Sequence, residues 1–155
     1  MRTVLKLSLA AALVAALAGS AFAQTYTAAL DGLQETPPNA SPAAGSGTFT
    51  LDAAKVLHYS ISFGGLLAPQ TAAHIHGPAP AGVAAGVRFP LPNGSPIAGT
   101  VGPLTAAQEA DLNAGLYYVN VHTTMFLGGE IRGQIYHDTV GVEAGTWGTV
   151  KDLFR

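Results

Sequence analysis

The chain has no cysteine among its 155 residues. That excludes disulfides, thiolate nucleophiles and thiolate metal ligands at once. Charge is scarce as well. Asp, Glu, Lys and Arg make up 10% of the residues, against roughly 25% in ordinary globular domains. The formal net charge is −2, and two of the bases, Arg2 and Lys6, fall in the leader described below. No electrostatic footprint for nucleic acid remains, and no basic patch that would hold the chain on an anionic membrane surface. Beyond the leader no apolar run reaches the roughly 18 residues of a membrane span. An HExxH helix, a Gly-rich phosphate loop, a nucleophile elbow and a close acid pair are all missing.

Glycine and proline are plentiful, with 19 and 10 copies. The segments between them are apolar and β-branched rather than charged, which argues for short strands joined by turns instead of disorder. Residues 1–23 read as a secretory signal. Arg2 and Lys6 form a basic start, Leu7 to Leu17 an apolar run, and Ala21-Phe22-Ala23 a small-residue cleavage site before Gln24. The expected destination is the periplasm or the outside of the cell. No Cys follows the apolar run, so no lipid anchor of the bacterial kind is expected. Without disulfides, an exported domain must stand on its core or add stability by binding a metal or a partner.

Residues 24–138 read as one all-β domain with a single helix. Strands are expected at Tyr26 to Leu33, Gly47 to Leu51, Lys55 to Phe63, Ala72 to His76, Gly86 to Phe89, Ile97 to Val101, Leu116 to His122 and Glu130 to Tyr136. The third shows the pattern best: Leu57, Tyr59, Ile61 and Phe63 share one face, and His58, Ser60 and Ser62 the other. Gly77 to Asn93 reads as a long surface loop. Thr105 with Gln108 forms a capping box that opens a helix, with Leu104 as staple and Gly115 as its stop. Residues 139–155 form a tail. Trp147, Val150 and Phe154 would line one face of a short helix there, either packed on the domain or frayed, or else serving as a docking or sorting tag.

His74 and His76 flank Ile75, so on a strand both imidazoles leave one face while Ile75 enters the core. Leu116, Tyr118, Asn120 and His122 share a face, as do Glu130, Arg132, Gln134 and Tyr136. If the apolar faces share one core, His74, His76, Asn120, His122, Glu130 and Arg132 fall on one side of a sheet. Three neutral imidazoles that converge make a metal site for copper or zinc. The competing reading is a set of solvated or hydrogen-bonded polar residues on an exposed sheet face. His58 is either a fourth ligand or a solvated side chain, and His137 a surface one. Arg132 is either an ion-pair partner of Glu130 or a guide for a small anion.

Three blocks in order, Ala73-His74-Ile75-His76-Gly77-Pro78-Ala79, Tyr118-Val119-Asn120-Val121-His122-Thr123 and Gly128-Gly129-Glu130-Ile131-Arg132-Gly133-Gln134, resemble the signature of the CHRD (chordin) domain family. The resemblance spans residues 25–138 and implies a secreted module. A weaker similarity is to copper/zinc superoxide dismutase, in the H-x-H pair, the long loop, the Val-His strand end and the Gly-x-x-Arg lead-in to the last strand. It implies a Greek-key β-sandwich or flattened barrel, with His74, His76 and His122 as copper ligands and Arg132 as the anion guide. The bridging histidine, the zinc subsite and the disulfide of that family have no counterpart here. The expectation is therefore a secreted domain binding copper through three histidines, for copper handling or superoxide-type redox chemistry. The alternative is a metal-free module that recognises an extracellular or envelope protein, or a matrix polymer.

Overall fold

Alternation of apolar and polar residues builds the strands of this protein, and the resulting faces decide where each histidine goes. A computed structural model describes residues 23–138. The expected leader, residues 1–22 of it, and the tail 139–155 lie outside the described residues.

The elements in chain order are β1 (Gln24–Asp31), β2 (Ala44–Leu51), β3 (Leu57–Gly64), β4 (Gln70–His76), β5 (Val87–Leu91), β6 (Ile97–Val101), α1 (Ala106–Asn113), β7 (Tyr118–Thr123), β8 (Ile131–Gln134) and β9 (Tyr136–His137). They form an all-β flattened barrel with one short helix. The spatial order is β5-β4-β7-β8-β1-β2-β3-β6, with β9 paired to β1 and every pairing antiparallel. β7 returns to lie beside β4, and β6 beside β3. These non-consecutive neighbours are those of a Greek key.

The core face is read directly from the alternation. Leu57, Tyr59 and Ile61 are buried on β3 while His58, Ser60 and Ser62 are exposed. Tyr26, Ala28 and Leu30 do the same on β1; β7 is buried on both faces, with Val119 and Val121 on the core side. Each fully buried Leu, Ile or Val contributes roughly 1.5–3 kcal/mol. With no disulfide, this core carries the fold.

The helix forms where its cap dictates. Thr105 Oγ1 accepts from Gln108 N at 3.3 Å, and Gln108 Oε1 accepts from Thr105 N at 2.8 Å. Gly115 sits at φ +69°, left-handed backbone that ends the helix without a Cβ penalty. Eight residues are too few to be stable alone; burial of Leu112 and Leu104 ties them to the core.

The last expected strand departs from expectation. The alternation from Glu130 to Tyr136 is continuous, yet β8 stops at Gln134. The chain then shifts sideways at Ile135, so Tyr136 pairs with Thr27 and His137 with Tyr26. Periodicity records which way a side chain points, not which neighbour its backbone takes.

Candidate metal centre

Register assembles the site. In β4 and β7, Ala72 lies opposite His122, His74 opposite Asn120 and His76 opposite Tyr118. In β7 and β8, Asn120 lies opposite Arg132 and Tyr118 opposite Gln134. Cross-strand neighbours stand about 4.5–5.5 Å apart at Cβ. The face opposite the core therefore carries a contiguous polar field of His74, His76, Tyr118, Asn120, His122, Arg132 and Gln134.

This face lies outside the barrel but it is not exposed. His76 is 7% exposed, His122 9% and Arg132 2%, and His74 is half-buried, so the face is not freely solvated. Three segments cover it. The loop after β4 folds back, with Ala79 N donating to Leu116 O at 2.9 Å and Ala85 N to the Tyr118 hydroxyl at 2.9 Å. The loop after β1 is clamped by Asn39 Nδ2 donating to Glu130 O at 3.0 Å. The turn from β7 to β8 brings Leu127 O over His122.

The three imidazoles converge. One nitrogen from each of His74, His76 and His122 lies within 4.8 Å of the others. His74 Nδ1 and His122 Nε2 are 3.1 Å apart. The other nitrogens are held from behind. His76 Nδ1 is 2.9 Å from Ala85 O, and His122 Nδ1 is 3.0 Å from Leu127 O. A carbonyl only accepts, so both Nδ1 atoms carry the proton and both Nε2 atoms present a lone pair. Such backbone carbonyls are the usual outer partners of metal-binding histidines. His76 Nε2 is buried and has no hydrogen-bond partner among the described residues. A buried polar atom without a partner calls for an explanation, and a lone pair aimed at an ion supplies one. All three pKa values are lowered, chiefly by burial. For His74 the charges of His122 and His76 add to this, and for His76 those of His122 and Arg132. The rings are thus kept in the neutral form that binds metal.

The Tyr118 ring stands between two partners. On one side His76 stacks on it at 5.1 Å with an interplanar angle of 11°. Arg132 Cζ lies 3.5 Å from the ring centroid. The Arg132 guanidinium also donates to Thr36 Oγ1 at 3.1 Å, Pro80 O at 3.3 Å and Gln134 Oε1 at 3.0 Å.

The chain matches the CHRD domain over residues 26–135. It belongs to the CHRD domain family. No curated protein and no solved structure matches the chain.

Within this CHRD domain the other polar candidates go elsewhere. His58 is exposed and pairs with Asp52 at 3.0 Å, on a strand remote from the three histidines. His137 packs edge-on against Tyr26. The expected Arg132–Glu130 ion pair does not form. Glu130 Oε1 instead accepts from Ser41 Oγ and Leu67 N, both at 2.7 Å. Two participants escaped the sequence reading. The alternation puts Tyr118 on the polar face, but its role as a stacking plate depends on register. Glu35, in a Pro-rich loop, is 5% exposed, and burial pushes its carboxyl up to about 7. Only its place just before Pro37 and Pro38, in an acid-poor sequence, hints at it.

Proposed function

We propose that this exported CHRD domain holds a copper ion through His74, His76 and His122. The observation that carries the reading is the buried His76 Nε2, without a hydrogen-bond partner among the described residues, beside two further imidazole nitrogens. Metal–imidazole bonds of about 2.0–2.1 Å put two nitrogens on one ion roughly 2.9–3.4 Å apart, and the 3.1 Å between His74 and His122 lies in that interval. Imidazole donors suit copper and zinc, and copper stands higher in the divalent affinity order. Three protein ligands leave a coordination position open. Bound copper would supply a Cu(II)/Cu(I) couple, for redox chemistry of the superoxide type or for storage and transfer of the ion. The chain's own contribution is to fix two tautomers through Ala85 O and Leu127 O and to keep the rings neutral. In the same reading Arg132, on the far side of the Tyr118 ring from His76, provides the positive charge that guides a small anion.

Export through the leader 1–23 to the periplasm or the exterior is part of this proposal. Metal analysis of protein purified without a His tag tests it. The expected result is about one copper per chain, bound at least about tenfold more weakly in His74→Ala, His76→Ala and His122→Ala. A superoxide assay on the loaded protein then separates an enzyme from a carrier. Wild type and all three variants binding equally little metal contradicts the reading. The remaining reading is then a metal-free module, tested by pull-down from the envelope fraction.

A further inference from the structure

Arg132 carries an unbalanced charge. It is 2% exposed, and among the described residues it makes no ion pair. Its three hydrogen-bond acceptors are all neutral. A guanidinium has five N–H donors, so Nε–H and one Nη1–H have no acceptor among the described residues. A buried cation with no counter-ion is costly. Glu35 relieves it only in part. Its Oε1 is buried with no hydrogen-bond partner among the described residues, and burial outweighs the pull of the Thr36 N–H and of Arg132, holding its carboxyl up at about 7. Both residues line one cavity of about 290 Å³, with Thr36 and the apolar Leu33, Pro38 and Ala81.

We propose that this cavity binds a small monocarboxylate with a short aliphatic tail, its anionic head held by Arg132 and Glu35. The charge count selects the head. One uncompensated cation matches one negative charge, and a phosphate dianion would bring an excess beside Glu35. A carboxyl that keeps its proton near neutrality donates a hydrogen bond to an anionic oxygen, whereas an ionised one would repel it. The walls select the tail, since an inorganic ion would leave Leu33, Pro38 and Ala81 facing water. The volume lies at the lower end for ligand sites, which limits the tail to a few carbons. Arg132 on β8 is the charged group acting on Glu35; Asn120 on β7 and the Gly129 backbone face it as neutral groups. The proposal stands whether or not the histidines hold a metal.

Calorimetry with sodium butyrate on EDTA-treated, tag-free protein tests it. Saturable binding at one site is expected, about tenfold tighter at pH 6 than at pH 8 because Glu35 takes up the proton that holds the anion. Glu35→Gln should bind with most of that pH dependence gone. Ala81→Phe, a change at an exposed loop position, should fill the cavity and abolish binding without altering the melting temperature. Overturning results are no saturable butyrate binding at pH 6, equal binding of butanol, unchanged affinity in Ala81→Phe, or binding that appears only after copper loading.

Discussion

His74 Nδ1 and His122 Nε2 face each other across 3.1 Å, although 48 residues separate them in sequence. Neighbouring strands β4 and β7 hold them there, so the approach is a property of the sheet and not of flexible loops. Replacing either histidine removes one donor and leaves the backbone in place. His74→Ala and His122→Ala should each weaken copper binding at least about tenfold, while His58→Ala should leave it unchanged. Metal retained after dialysis against a competing chelator measures this.

Acid should attack the same cluster. Burial holds all three imidazoles below the ordinary histidine pKa, so the unfolded chain takes up protons first as the pH falls. The stability they contribute is fully present above about 6.5 and is lost as the pH drops through their lowered folded values. Melting temperature measured from pH 7.5 to 4.5 should fall over that interval. The fall should be shallower in His76→Gln, whose side chain does not titrate.

Glu35 runs with the opposite sign. Its folded pKa of about 7 lies above the ordinary 4.5, so the folded state binds the proton more tightly. That contribution is complete below 4.5 and lost as the pH rises through 7. Glu35→Gln, which keeps the shape of the neutral acid, should therefore gain stability relative to wild type between pH 5 and 8. A difference in melting temperature that stays constant over this range would contradict the assignment.

Much of this was written in the alternation of residues. The β3 faces, the β6 span, the capping box at Thr105 and the shared side of His74, His76 and His122 all follow from local periods, because each depends on neighbours one to four positions away. What remained hidden depends on partners far along the chain. Glu130 and Arg132 lie two apart on one face, which suggests a pair. Ser41 and Leu67 claim Glu130 instead, and Tyr118 claims Arg132. The polar face looked solvent-exposed because nothing local shows that the loops at 77–86 and 32–41 fold back over it. The burial of Glu35 was hidden for the same reason.

Gly129 shows how tightly that cover is built. It sits at φ +134°, and a Cβ there would collide with Asn120 Oδ1 and Glu35 Oε1. Gly129→Ala should cost roughly 1–3 kcal/mol from backbone strain and the displaced amide. Chemical denaturation measures the loss, and Gly128→Ala, where a Cβ meets nothing within 4 Å, is the control.

The most direct measurement is electron paramagnetic resonance on tag-free protein loaded with copper, with ¹⁵N-labelled histidine to identify the nitrogen couplings. The account predicts one Cu(II) per chain coupled to three imidazole nitrogens, falling to two in His122→Ala. Copper that binds without stoichiometry, or a nitrogen pattern that His122→Ala leaves unchanged, would contradict it.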